Sequence, residues 1–240
     1  MQLAALLIVA AVAPAGAASP GESRQQQWEW CENATDPALA VAGCTPLIDA
    51  GKETPGRLAD AYNNRGYALS RQGQHDRAIA DLDQAVRLDP RFALALNNRG
   101  HVYNLMGQYD RAVAEFDRAI GIDPDYAAAF NNRCWARALL GALTEALADC
   151  DTSLRLRPES AAALDSRGFV HLRLNQPERA IADYDAALKM RPKSASSLYG
   201  RGVAHLMQAN RAGGEQDIAA ATQIDPEVAA RFQRWGVTAP

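Results

Sequence analysis

The side chains able to do chemistry fall into three groups: four cysteines, a row of arginines and acids, and a row of asparagines beside rings. Cys31, Cys44, Cys134 and Cys150 could bridge, bind a metal or cycle between redox states. Zinc needs clustered ligands, and there is no C-x-x-C, while His75, His101, His171 and His205 show no ligand spacing with the thiols. A redox-active pair is also poorly marked, because neither C-x-x-C nor an adjacent Lys or His lowers a thiol pKa. No metal or cofactor is expected. The acids come in pairs, Asp81 with Asp83 and Asp149 with Asp151, but each pair is copied elsewhere in the chain. Acid/base chemistry needs one carboxyl set apart from another by its environment, and nothing here does that. G-x-S-x-G, H-E-x-x-H and a P-loop are all missing from the sequence, so no enzyme is expected.

Composition narrows the class further. Of 240 residues, 48% are hydrophobic and 22% charged, which suits a packed protein rather than a disordered one. Lys plus Arg is 25 and Asp plus Glu 28, a formal charge of −3. That balance argues against nucleic acid as a partner and gives no attraction to an anionic membrane.

Residues 1–18 read as a secretory signal. An apolar run from Leu3 to Val12 is broken at Pro14 and followed by Ala15-Gly16-Ala17-Ala18, a small-residue cleavage site. The run is shorter than the roughly twenty residues a membrane span requires. Cleavage after Ala17 or Ala18 would leave a secreted or periplasmic protein with no membrane insertion, in a compartment that permits disulfides.

These residues are positioned by a repeat. Pro90, Pro124, Pro158, Pro192 and Pro226 are each 34 residues apart, and Arg65, Arg99, Arg133, Arg167 and Arg201 follow the same period. The units run 59–92, 93–126, 127–160, 161–194 and 195–228. Each reads as two helices. In the first unit Ile79, Leu82, Ala85 and Val86 recur at helical spacing, and Gly73 permits a left-handed turn before them. The Pro near position 32 ends the second helix. One such pair cannot bury its apolar face, so the units must stack. The predicted fold is all-α: an α-solenoid of five 34-residue helix-turn-helix repeats. An N-terminal helical cap occupies 19–58, and a short capping helix and tail occupy 229–240, with Val228, Phe232 and Trp235 covering the last repeat.

Small residues at positions 8, 20 and 27 with Pro at 32 resemble the tetratricopeptide repeat. Position 8 is Gly66, Gly100, Cys134, Gly168 and Gly202, and position 27 is Ala85, Ala119, Ser153, Ala187 and Ala221. The resemblance is to the exported bacterial type with a Cys-containing N-terminal segment. The first two units carry Asn-Asn-Arg-Gly, and all five carry Arg where the family has Leu before the small residue; the fifth is degenerate at Gly213-Gly214.

Antiparallel helices turning near positions 15–17 place position 8 opposite position 24. Cys134 and Cys150 occupy that facing pair, either as a disulfide or as two buried thiols that pack. Cys31 and Cys44 could tie an entry strand to a helix starting at Asp36-Pro37. Arg at position 7 and acid at position 23 read as an ion pair between helices, because Arg holds a carboxylate through two bonds.

The resemblance implies a groove lined by the first helix of each unit. Its candidate residues here are Asn63, Asn64, Tyr67, Asn97, Asn98, His101, Asn131, Asn132, Trp135, Asp165 and Phe169. Amides offer donor and acceptor to an extended peptide, and rings add apolar contact. The competing reading is that Asn-Asn is a family preference and that the rings pack on the next helix. The clamp of chaperone-binding members would need Lys, Asn, Asn, Lys and Arg at Asn63, Tyr67, Asn98, Ala128 and Asn132; only Asn98 fits. The expected function is a scaffold or adaptor binding a peptide or protein in the cell envelope. The alternative is a thiol-based redox sensor or enzyme using Cys134 and Cys150.

Overall fold

The computed structural model describes residues 22–33 and 35–240. The signal expected at 1–18 lies outside them. Thirteen helices and no strand occur among the described residues. They fall into two compact units divided after Pro90.

The first unit holds α1 (Arg24–Cys31), α2 (Pro37–Ala50), α3 (Pro55–Arg71) and α4 (His75–Leu88). The entry segment is a helix and not a strand. Ser23 starts α1 by accepting from the Gln26 amide, and Asp36 starts α2 by accepting from the amides of Ala38 and Leu39. Cys31 and Cys44 are bonded, with Cα atoms 4.5 Å apart, so α1 is tied to α2. Glu53 is held by Arg24 and by the Trp28 indole, and the Arg57 guanidinium lies 3.9 Å from the Trp28 ring centre. α3 begins at Pro55, a turn before the first 34-residue repeat, because Thr54 caps it there.

The second unit holds four further helix pairs: α5 (Ala93–Leu105) with α6 (Tyr109–Ile122), α7 (Ala127–Leu140) with α8 (Leu143–Leu156), α9 (Ala161–Arg173) with α10 (Pro177–Met190), and α11 (Ala195–Met207) with α12 (Arg211–Ile224). α13 (Val228–Arg234) follows. Successive first helices touch, α5 on α7, α7 on α9 and α9 on α11, and form one inner face. α13 packs on α11 and α12, where Val228 and Phe232 are buried, so it covers the last repeat as expected.

Each pair is closed by the same facing positions. A Cβ on Gly66 would come within 2.8 Å of Leu82, one on Gly100 within 2.6 Å of Phe116, and one on Gly202 within 2.9 Å of Ile218. The small residue at position 8 therefore admits the large one at position 24. In the third repeat this pair is the disulfide Cys134–Cys150, Cα atoms 5.4 Å apart, with both residues fully buried. The turn at position 15 has positive φ in every repeat: Gly73 (74°), Gly107 (72°), Gly141 (84°), Asn175 (56°) and Ala209 (60°). Glycine and asparagine tolerate that region, whereas alanine does not do so freely.

The charge row is structural. Arg65, Arg133, Arg167 and Arg201 each hold the position-23 acid of their own repeat through two bonds, and Arg99 holds Glu115 at 2.7 Å. In the second unit the remaining nitrogen reaches the position-25 acid of the preceding repeat. Arg133 bonds Asp117 at 2.6 Å, Arg167 bonds Asp151 at 2.8 Å and Arg201 bonds Asp185 at 2.7 Å. One guanidinium thus joins two helices within a repeat and one repeat to the next.

Candidate functional site

The candidate groove residues do not all reach a surface. In the first unit Asn63 is buried and donates to Asn64 Oδ1, while Tyr67 is exposed. Asn64 and Tyr67 line a shallow pocket of about 50 Å³ with Cys31, Pro37 and Arg71. In the second unit Asn97 is buried and accepts from Asn132 Nδ2 at 2.9 Å, so these two amides bind each other across α5 and α7. Asn98 is partly exposed on α5.

The others gather on the inner face of the second unit. His101, Asn131, Asn132 and Trp135 line one cleft of about 460 Å³, together with Asn104 and Trp235. Two amide oxygens of its lining residues, Asn104 Oδ1 and Asn131 Oδ1, are buried without a hydrogen-bond partner. Such acceptors favour a donor entering the cleft. Trp135, Asp165 and Phe169 line a second cleft of about 270 Å³ with Ser197, Phe232 and Trp235. Asp165 accepts from the hydroxyls of Ser196 and Ser197. Burial pushes its carboxyl above the usual range, against these hydroxyls and the field of Arg191.

The rings are not a free ladder. Phe232 packs edge-on against Phe169 and tilted against Tyr199, with centroids 5.9 and 4.8 Å apart, and Trp235 stands edge-on to Trp135. Phe169 is 1% exposed. Arg173 fastens this end by donating to the Trp235 carbonyl at 2.8 Å. Phe232 and Trp235 therefore wall the clefts as well as covering the last repeat. The sequence reading placed them in the cap alone. Their aromatic character was the available signal, but no periodicity says where they fold back.

Among the described residues no group of three or more His, Cys, Asp or Glu could hold a metal, and no helix is long and apolar enough to cross a membrane.

A model of the tetratricopeptide repeat matches residues 63–127, 106–161 and 167–229, well over half of the chain. The chain belongs to the tetratricopeptide repeat family. No curated protein matches its sequence. Among solved structures, this tetratricopeptide repeat protein resembles YrrB, described as a TPR protein with an unusual peptide-binding site. Identity there is 23%, over 81% of this chain and 98% of that one, with a TM-score of 0.55. It also resembles MamA from Desulfovibrio magneticus RS-1, with 18% identity over 72% and 98% and a TM-score of 0.60. A third is TTC0263, a thermophilic TPR protein of Thermus thermophilus, with 20% identity over 76% and 95% and a TM-score of 0.60. At these identities the likeness shows the shared fold.

Proposed function

We propose that this protein is an interaction scaffold that holds an extended peptide or protein segment on the inner face of α5, α7 and α9. The observation that carries this reading is the pair of unpartnered buried acceptors, Asn104 Oδ1 and Asn131 Oδ1, in a cleft bordered by Trp135 and Trp235. Main-chain N–H groups of an extended segment would meet those oxygens, and its side chains would rest on the rings. The tetratricopeptide fold supports a protein or peptide as partner.

The scaffold acts in an exported, oxidising compartment. Two buried bridges support this, together with the leader-like residues 1–18. The same burial weighs against a thiol sensor, because Cys134 and Cys150 have no exposed surface from which to react.

The test is capture of binding partners from the native host on the immobilised protein, beside an Asn104→Ala/Asn131→Ala variant. A partner retained by the wild type and lost by the variant, with helicity unchanged, supports the reading. Equal retention by both would remove the site. Intact mass after export, with alkylation before and after reduction, tests the compartment. A full-length chain with four reactive thiols would overturn it.

A further inference from the structure

The third and fourth repeats break the pattern at one place. The residue before the helix-ending Pro is Asp89, Asp123 and Asp225 in repeats one, two and five, but Arg157 and Arg191 in three and four. The backbone does not require this change. Arg157 (φ −139°, ψ 87°) and Arg191 (φ −132°, ψ 77°) end their helices much as Asp123 does (φ −127°, ψ 93°). A residue recurring in every repeat belongs to the fold. A reversal of charge in two neighbouring repeats needs another account.

Both arginines line one cleft of about 350 Å³, with Asn131, Asn132 and Ser160. Both are exposed. Among the described residues neither forms an ion pair or a side-chain hydrogen bond, whereas every position-7 arginine holds a carboxylate. Two acids lie near. Glu159 lines the same cleft, exposed, and is bonded to neither arginine. Asp165, in the adjoining cleft, lies within the field of Arg191 but is not bonded to it, and accepts instead from Ser196 and Ser197. The two clefts adjoin, with Ala161, Ala162 and Arg191 lining both. The adjoining one is walled by Trp135 and Trp235, both partly exposed, with Phe169 and Phe232 buried behind them.

We infer that the bound segment is an acidic peptide, placing a carboxylate over Arg157 and Arg191 and an adjacent large apolar side chain against Trp135 and Trp235. Arginine suits this role because its planar fork meets a carboxylate through two parallel bonds. The inference rests on the scaffold reading above and adds the chemistry of the partner.

The experiment is selection from a random linear peptide display library on the oxidised full chain. It is repeated on Arg157→Asp/Arg191→Asp, which installs the residue that the other repeats carry and so keeps the fold. Arg87→Asp/Arg155→Asp makes the same change of net charge at two exposed arginines away from the clefts. The wild type should enrich peptides with Asp or Glu beside an aromatic or large aliphatic residue. A synthetic copy of one should bind Arg157→Asp/Arg191→Asp about tenfold more weakly, and Arg87→Asp/Arg155→Asp within about twofold of wild type. Replacing the peptide's acid by its amide should abolish the difference between the wild type and Arg157→Asp/Arg191→Asp. Enrichment without acids, or equal binding by all three proteins, overturns the acidic preference and leaves the groove reading standing. No enrichment on the wild type overturns both.

Discussion

The indole of Trp235 meets that of Trp135 edge-on, 4.8 Å between ring centres and nearly perpendicular. The contact brings α7 of the third repeat under the end of α13, so cap and cleft share one aromatic cluster. Trp235→Ala should cost about 1–3 kcal/mol of stability, the range of a partly buried aromatic contact. Near-ultraviolet dichroism should fall while far-ultraviolet helicity stays. Unchanged quenching of the remaining tryptophans by acrylamide would contradict the packing. Phe232→Ala, at a buried position, should cost more, about 3–5 kcal/mol by chemical denaturation.

Cys134 and Cys150 replace a glycine and a bulky residue with a covalent link. Cys134→Ala should lower stability by about 3 kcal/mol, the contribution expected for a loop of this length. Cys134→Gly with Cys150→Leu reproduces the pair Gly66 and Leu82 and should recover part of that loss by packing. Urea midpoints of the oxidised parent and both variants give the comparison.

Asp149 and Asp117 both bond Arg133, but in different surroundings. Asp149 is nearly buried and accepts from Arg133 twice and from Arg137, while half of the Asp117 side chain is exposed. Asp149→Ala should therefore cost about 3–5 kcal/mol, since it removes the buried carboxylate shared by two arginines and leaves them only the half-exposed Asp117. Asp117→Ala should cost about 1 kcal/mol or less. Equal losses would mean that the link between repeats matters as much as the link within one.

Ala209 occupies the turn with a φ of 60°, where three of the other repeats use glycine. Ala209→Gly should stabilise the chain by about 0.5–1 kcal/mol, because relief of the left-handed strain exceeds the glycine entropy cost. A drop in thermal midpoint would show that the turn is not strained.

Asp165 sets a pH dependence. Its folded pKa is raised by burial, so the folded state binds the proton more tightly than the unfolded chain does. Stability from this group is present below the ordinary carboxylate pKa and is lost as pH rises through the raised value. Asp165→Asn should be relatively more stable at neutral pH than at pH about 3, with the Ser196 and Ser197 hydroxyls still donating to the amide oxygen. Denaturation midpoints of both proteins across this range measure it.

Much of this architecture was legible beforehand. Recurrence of Arg65 and Pro90 marked the period, and antiparallel geometry alone put Cys134 opposite Cys150. The N-terminal Cys pair was legible as a candidate link, but the helix carrying Cys31 was not, because its eight residues repeat nothing. The cleft was harder. Asn97 and Asn132 look like groove amides in sequence, yet each is the other's partner. Which amide faces inward depends on a fraction of a helical turn, and composition does not resolve that. Phe232 and Trp235 lie beyond the last full repeat, where no neighbouring copy shows which way a ring points.

The arginine links also change at the fifth repeat. Position 25 is acidic in repeats one to four and is Ala219 in the fifth, so the fifth offers no carboxylate to a successor. One period beyond Arg201 stands Trp235, followed by Gly236 in phase with the earlier glycines. α13 starts within one residue of the phase of a sixth first helix, and neither half of the coupling is present there. A methyl group stands where the acid would be, and where the arginine would be stands an indole that turns back into the cleft. Elongating the array would need Asp at 219 and Arg at 235, and the second change would strip the cleft of one wall.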